Sequence, residues 1–64
     1  MIRVNGEEQP YVDESVEEML HRLDIVPRGI AVAIDGDVVR RSEWPDTRVG
    51  DGSTVEIVTA VAGG

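Results

Sequence analysis

Several residue types are missing from this sequence or rare in it. Cysteine, lysine and phenylalanine do not occur among its 64 residues, and tryptophan, tyrosine and histidine occur once each. Without cysteine the chain cannot form disulfides, thiolate metal sites or iron–sulfur clusters, and it has no cysteine nucleophile. All six basic residues are arginine, so the side chains supply no ε-amine. A genome bias towards arginine codons is the simpler explanation of the missing lysines.

The length and the charge of the chain limit its class. A chain of 64 residues is predicted to form one small domain, which buries only ~60% of the surface that its unfolded form exposes. Thirteen acidic residues against six arginines give a formal net charge of −7, which disfavours nucleic-acid binding and suits a partner with a basic surface. We find no long apolar run and no leader pattern, so we expect no membrane span, no signal peptide and a cytoplasmic location.

The pair Asn5-Gly6 predicts a β-hairpin early in the chain, because both central positions of such a turn need a positive φ angle. The two strands are expected near residues 1–5 and 8–12. Pro10 lacks the N–H that a central strand would donate, so the second strand should lie at an edge of the sheet.

The pair Asp35-Gly36 predicts a second hairpin, over residues 29–41. Large and small residues alternate in its first strand, "IAVAI", so the two sets should lie on opposite faces of the sheet. We expect the large residues to face the helix and Ala31 and Ala33 to face away from it.

The segment "SVEEMLHRL", residues 15–23, predicts the helix. Ser15 and Glu18 have the spacing of a capping box, and apolar residues recur along one face. The solvated face carries two acid–base pairs at i, i+4 spacing, Glu17 with His21 and Glu18 with Arg22. His21 is therefore interpreted as a solvated helix residue, with a role as ligand or base as the alternative.

The second half of the chain predicts a loop and then a strand. Residues 42–52 are rich in turn formers and should form a loop anchored by Trp44 and Val49, and residues 53–60 alternate as a strand does. Trp44 is interpreted as a lid on the core, with ligand stacking as the alternative. The order of elements indicates an α+β domain, with one helix on a curled sheet. The predicted core is Ile2, Val4, Val12, Val16, Met19, Leu20, Leu23, Ile30, Val32, Ile34, Val55 and Ile57.

No arrangement of residues suggests autonomous catalysis. The carboxylates are spread along a hairpin and a helix surface, and no nucleophile accompanies His21. The two Xaa-Gly turns lack the glycine spacing and the following helix that a phosphate-binding loop requires. We therefore expect no active site and no metal site in the body of the domain.

The last strand is followed by Gly63-Gly64, which can neither extend it nor pack a side chain. Residues 61–64 are therefore predicted to be a tail on a domain of residues 1–60. A frayed end without a role is one reading. The other is that the α-carboxylate of Gly64 reacts, because two residues without a Cβ can enter a narrow tunnel in a partner.

Three stretches, "IAVAIDGDVVRRSEW", "DGSTVEIVTAV" and the terminal "AGG", resemble the ThiS family, the sulfur carrier proteins of thiamine (thiazole) biosynthesis, and the resemblance covers the whole chain. It implies the ubiquitin-like β-grasp fold, with the first and last strands parallel at the centre of the sheet. It also implies that an E1-like adenylyltransferase activates the Gly64 carboxylate with ATP. A persulfide donor such as a cysteine desulfurase then supplies sulfur, and the thiocarboxylate is delivered to thiazole synthase.

The same resemblance makes the chain a protein co-substrate rather than an enzyme, with no bound cofactor of its own. It implies that Gly63 and Ala62 thread into the partner, although Ala62 stands where many members of the family carry a third glycine. Three alternatives stay open at this point: a sulfur carrier of the molybdopterin pathway, a ubiquitin-like modifier of target lysines, and an interaction module with an inert tail. The missing lysines weigh against a modifier that builds chains.

The sheet face opposite the helix is the predicted partner surface. Small and apolar outward residues leave a shallow patch there, which long charged side chains would otherwise cover. The residues concerned are Arg3, Ala31, Ala33, Glu56 and Val58.

Overall fold

The computed structural model describes residues 1–59. Its elements are β1 (Ile2–Val4), β2 (Glu7–Gln9), α1 (Val16–Arg22), β3 (Ile30–Ile34), β4 (Asp37–Val39), a 3₁₀ helix (Arg41–Glu43) and β5 (Thr54–Thr59). The strands form one sheet in the order β2-β1-β5-β3-β4, in which β1 and β5 are parallel and the other neighbours antiparallel. The expected fold, an α+β domain with a helix on a mixed β-grasp sheet, is confirmed.

Both hairpins turn where the sequence predicts. Asn5 and Asp35 have φ angles of 49° and 51°, and the glycines that follow them have φ angles of 84° and 88°. Positive values at both positions are those of the two-residue turn that matches the twist of a sheet. Strand β2 lies at an edge of the sheet, as Pro10 requires, but it ends at Gln9 and is shorter than predicted.

Helix α1 is capped at both ends by local hydrogen bonds. The backbone N–H of Glu18 donates to Ser15 Oγ at 3.1 Å, and the backbone N–H of Ser15 donates to Glu18 Oε1 at 2.9 Å, so the predicted capping box is present. At the other end Asp24 has a φ of 60°, and the N–H of Ile25 donates to the Leu20 carbonyl at 2.9 Å. This left-handed residue turns the chain out of the helix.

The i, i+4 spacing along the helix allows two ion pairs, and neither Glu17–His21 nor Glu18–Arg22 forms one among residues 1–59. Glu18 is occupied by the cap, and Arg22 reaches back to Glu14. Arg22 donates to both carboxylate oxygens of Glu14, from Nη2 at 2.7 Å and from Nε at 3.0 Å. Glu14 is buried, and a buried carboxylate needs a charged partner more than an exposed i, i+4 pair does.

The core lies between α1 and the inner face of the sheet. Its buried apolar residues are Ile2, Val4, Val16, Met19, Leu20, Val32, Trp44, Val49 and Val55. Leu23, Ile30, Ile34 and Ile57 from the predicted core are half-buried and pack against it, as do Ile25 and Val39. Val12 was wrongly assigned to the core: it is 37% exposed, because the chain has left the sheet before Pro10 and strand alternation no longer decides which way its side chain points.

The loop after β4 closes one side of the core. Trp44 is 4% exposed, and its Nε1–H donates to the Val39 carbonyl at 2.9 Å, which confirms its interpretation as a lid. Val49, the other predicted anchor, is buried too. The 3₁₀ helix directly before Trp44 was not predicted. Within the described part of the chain, no helix is long and apolar enough to cross a bilayer.

We predict that Leu20→Ala destabilises the domain by ~2–5 kcal/mol, because Leu20 is buried at the centre of the helix stripe and its loss leaves a cavity. Thermal or denaturant unfolding measures the effect. Val26→Ala, at a valine that is 71% exposed, is the control and should change little. An unchanged midpoint for Leu20→Ala would contradict the assignment of the core.

The capping box predicts a dependence of stability on pH. The hydrogen bond from the Ser15 backbone N–H, with a smaller contribution from its hydroxyl, holds the pKa of the Glu18 carboxyl below its ordinary value. A lowered folded-state pKa stabilises the fold above the unfolded-state pKa, and this stabilisation is lost as the pH falls through the folded-state pKa.

Glu18→Gln keeps an acceptor for the cap but cannot ionise. Wild type should therefore melt above Glu18→Gln near neutral pH, and the difference should shrink on acidification below the usual glutamate range. Glu17→Gln removes the same charge without touching Ser15 and is the control. A difference between wild type and Glu18→Gln that is independent of pH would refute the assignment.

Candidate functional site

The predicted partner surface is one continuous face of the sheet. Cross-strand partners point to the same side, and Ala31 is paired with Val58 while Ala33 is paired with Glu56. Arg3 is paired with Thr54, two residues before Glu56, so β1 adds Arg3 to the same side. The structure thus brings all five predicted residues onto the face opposite α1, which we call the outer face.

The outer face has a shallow apolar centre. A depression of about 180 Å³ is lined by Ala31, Val32, Ala33, Val38, Glu56 and Val58. The small alanines leave β3 low between its neighbours, and Val58 and Val38 are 57% and 73% exposed on either side of it. Exposed valines around a small-residue strand form a surface that a partner can dehydrate at little cost.

Val38 is a residue of the outer face that the sequence reasoning missed. The two-residue turn at Asp35-Gly36 pairs Ile34 with Asp37 and therefore Ala33 with Val38. Counting pairs outwards from that turn would have placed Val38 beside the alanines.

The charged residues of the outer face lie on β2, β1 and β5, on one side of β3. Arg3 Nη2 lies 3.4 Å from Glu8 Oε2, and both side chains are more than half exposed. Glu56 is exposed on β5 next to Ala33. Exposed charges of this kind contribute little to stability, but at the rim of an interface they select the partner and speed its approach.

The outer face reaches the end of the part of the chain that the structure describes. Thr59 pairs with Ile30 at the end of β5, and Val58 lies on the outer face immediately before it. The predicted reactive residue Gly64 and the predicted threading residues Gly63 and Ala62 lie outside the described residues. A chain extended from Thr59 to Gly64 reaches on the order of 20 Å. A partner bound to the outer face is therefore within reach of the Gly64 carboxylate.

Strand β5 is held by side chains from both hairpin turns. The backbone N–H of Thr54 donates to Asp35 Oδ1 at 2.9 Å, and the backbone N–H of Ile57 donates to Asn5 Oδ1 at 2.8 Å. Neither contact follows from sequence spacing, since 19 and 52 residues separate the partners. The strand that leads to Gly64 is thus fixed at two points besides its ladders.

A second depression, of about 330 Å³, lies on the helix side of the molecule. Leu20, Ile25 and Trp44 form much of its lining, and His21 and Arg41 lie at its polar edge. His21 is exposed on α1, as predicted. Among residues 1–59 no three His, Asp or Glu side chains converge to hold a metal ion. The chemistry of this depression is that of an apolar groove.

Comparison with known proteins decides the family. The sequence matches the model of the ThiS family over residues 2–64. This chain belongs to the ThiS family. It is 31% identical over 64 residues to the sulfur carrier protein ThiS of Thermus thermophilus, and the match covers 100% of both chains. Its identity with the sulfur carrier protein ThiS of Escherichia coli is 35% over 51 residues, which cover 80% of this chain and 77% of the relative.

Solved structures agree with this ThiS assignment. The crystal structure of the thiamine biosynthesis protein ThiS from Geobacter metallireducens superposes with a TM-score of 0.86 at 28% identity, covering 98% of this chain and 97% of that one. A solution structure of a thiamine biosynthesis protein from the same organism gives a TM-score of 0.73 at 28% identity, covering 98% and 86%. The resemblance stated from the sequence is confirmed.

We predict that Val58→Glu weakens binding to the E1-like enzyme that the family resemblance leads us to expect, by roughly tenfold or more, because it places an unpaired charge at the apolar centre of the outer face. Val58 is 57% exposed, so the melting temperature should stay close to that of wild type. The binding can be measured by calorimetry. Val26→Glu introduces the same charge at a valine outside the outer face and is the control; equal binding by both variants would place docking elsewhere.

Proposed function

We propose that this ThiS-family chain is the sulfur carrier of thiamine thiazole synthesis and that the carboxylate of Gly64 carries the sulfur. The observation that supports this most directly is the match to the ThiS family, which runs through residue 64. The relative that is aligned over its whole length is itself named a sulfur carrier protein. In this role the chain is a co-substrate of other enzymes, and its own body does no chemistry.

The proposed reaction begins at the Gly64 carboxylate. One of its oxygens attacks the α-phosphate of ATP in the active site of an E1-like adenylyltransferase, and pyrophosphate leaves. The product is a mixed anhydride, in which the Gly64 carbonyl carbon has a good leaving group. The outer sulfur of a persulfide donor, such as a cysteine desulfurase, then attacks that carbon and AMP leaves, which gives an acyl disulfide with the donor. A thiol, acting as the two-electron reductant, attacks the donor's sulfur and breaks the S–S bond. The donor leaves as a disulfide with that thiol, and the outer sulfur stays on Gly64. The resulting thiocarboxylate is the form that thiazole synthase receives.

The composition of the chain agrees with sulfur transport at a terminus. With no cysteine, no side chain can carry a persulfide, so sulfur has to be bound elsewhere. With no lysine, an activated acyl group meets no ε-amine on its own or a second copy of the chain. Both absences favour a carrier whose reactive group is its α-carboxylate.

The outer face supports docking before the tail reacts. Its apolar centre lies beside the end of β5, so an enzyme that covers Val58 would also lie where the chain continues towards Gly64. Gly63 and Ala62 add little width to that segment, and glycine adopts backbone angles that a narrow tunnel can impose. We propose that the E1-like enzyme and thiazole synthase each bind in this way.

Of the alternatives, a molybdopterin-pathway carrier would use the same terminal chemistry with a different acceptor enzyme. The family match favours the thiazole pathway over it. A ubiquitin-like modifier would instead form isopeptide bonds with target lysines and appear as covalent conjugates of high mass. Purification of the chain with its partners distinguishes these possibilities, because each function requires a different acceptor protein to be recovered with the chain.

We predict that deletion of Gly64 abolishes ATP–pyrophosphate exchange with the E1-like enzyme. The carboxylate then lies ~3.4 Å short of the nucleotide phosphate, and chemistry needs reacting atoms about 3–3.5 Å apart. Gly63→Val should also fail, because a β-branched side chain widens the chain and restricts its backbone. Ala62→Gly keeps the length and the narrowness of the segment and is the control that should stay active.

Both inactive variants leave the described fold untouched, so their melting temperatures and their binding to the enzyme should match wild type. Exchange at the wild-type rate after deletion of Gly64 would rule out Gly64 as the activated residue. It would leave the chain as an interaction module with an inert end.

A further inference from the structure

Asn5 has two connections to β5 besides its place in the first hairpin turn. Its backbone N–H donates to the Val55 carbonyl at 2.9 Å, and its side-chain Oδ1 accepts the N–H of Ile57 at 2.8 Å. The first bond belongs to the parallel ladder between β1 and β5, in which the Arg3 N–H donates to the Ser53 carbonyl at 2.9 Å. In the second bond, the Asn5 side-chain oxygen accepts an N–H that a backbone carbonyl would accept if the ladder continued.

The turn explains why a side-chain oxygen takes the place of a backbone carbonyl at Asn5. A parallel partner of β5 would offer its next backbone carbonyl to the N–H of Ile57. At Asn5, however, the φ of 49° takes the backbone out of β1 and into the turn with Gly6. Asparagine tolerates this left-handed conformation better than most residues, and it also carries an amide oxygen. The Asn5 side chain thus extends the β1 ladder by one hydrogen bond.

The bond between Asn5 Oδ1 and the Ile57 N–H lies near the C-terminal end of β5. On the β1 side it is the last hydrogen bond to β5 within residues 1–59, since the register of β1 ends with Val4 opposite Val55. On the other side, β3 holds β5 as far as Thr59. Without the Asn5 oxygen, residues 57–59 would be held from one side only.

We propose that Asn5 is a positioning residue for the C-terminal segment: by holding the Ile57 N–H it fixes the end of β5 from which the chain continues to Gly64. This proposal rests on the proposed function, because the position of that end matters only if a partner must receive the Gly64 carboxylate. Fixing the start of the segment reduces the conformations that the enzyme has to select when it aligns the carboxylate with ATP.

The second hairpin turn provides an internal comparison. Asp35 also has a left-handed φ, of 51°, precedes a glycine, and accepts an N–H of β5 through Oδ1 at 2.9 Å. Its partner Thr54 lies at the opposite end of the strand. The two side chains therefore make the same kind of contact, and only that of Asn5 lies next to the segment that leads to Gly64.

The test compares Asn5→Gly, Asn5→Asp and Asp35→Gly in the full chain. Glycine suits a positive φ, so both glycine variants keep their turns and lose only the acceptor oxygen. Aspartate at position 5 keeps both the turn and an acceptor. Amide hydrogen exchange measured by NMR reports the contact itself, and steady-state kinetics with the E1-like enzyme report its consequence.

We expect Asn5→Gly to speed the exchange of the Ile57 amide by roughly two- to tenfold, the effect of losing one net hydrogen bond. We expect its kcat for adenylation to fall roughly fivefold or more with KM nearly unchanged, because the outer face still docks while the carboxylate is less well placed. Asn5→Asp should restore both values. Asp35→Gly should speed exchange at Thr54 and leave kcat unchanged.

Two results for the contact would overturn the proposal: an unchanged Ile57 exchange rate in Asn5→Gly, or a faster Ile57 exchange in Asn5→Gly with the wild-type kcat. An equal loss of kcat in Asp35→Gly would also overturn it. So would loss of the fold in Asn5→Gly, which would make Asn5 a residue of general stability. If wild type itself is not adenylated, the proposed function fails. The exchange rates of Ile57 then still decide whether Asn5 fixes the end of β5.

Discussion

The pairing of β5 with both β1 and β3 is the interaction on which the rest of this molecule depends. Strand β5 lies between the first hairpin, β1 and β2, and the second, β3 and β4. Without β5 the two hairpins would not belong to one sheet. Val55 of β5 is fully buried in the core, while Val58 faces outwards one residue before the end of the described chain. One strand therefore organises the core on one side, the outer face on the other, and the direction of the segment that follows.

This arrangement separates the stable part of the molecule from the part proposed to react. The core is small, yet within residues 1–59 its buried polar side chains all have hydrogen-bond partners, among them Glu14, which Arg22 holds with two donors. Such a domain can present a rigid surface for partners to bind without itself binding a substrate. In the proposed function, partners recognise the folded domain, and the partner enzymes make and break the bonds at Gly64.

Much of the fold could be predicted because local signals in this sequence are strong. The two Xaa-Gly turns, the capping box at Ser15 and the alternation in β3 and β5 each depend on residues close together in the chain. Where such a signal stops, prediction failed. Val12 lies beyond Pro10, where no strand fixes the direction of its side chain. Arg22 pairs with Glu14, eight residues away, and not with the nearer Glu18, because Glu14 is buried and Glu18 is held by the cap.

The candidate site shows the same boundary between local and long-range information. Alternation alone places Ala31, Ala33, Glu56 and Val58 away from the helix, and the register between β3 and β5 then brings them together. The contacts of Asn5 and Asp35 with β5 could not be predicted in this way. They depend on which strands become neighbours, and the parallel placement of β1 beside β5 was known only from the family resemblance.

The central claim is that sulfur is carried on the Gly64 carboxylate, and intact-mass spectrometry tests it most directly. The chain is incubated with the E1-like enzyme, ATP, a persulfide donor and a thiol reductant, and its C-terminal tryptic peptide, residues 49–64, is then analysed separately. The account predicts a gain in mass equal to the exchange of one oxygen for one sulfur, located at Gly64. A chain of unchanged mass under conditions that convert a known carrier, or sulfur found on any other residue, would contradict it.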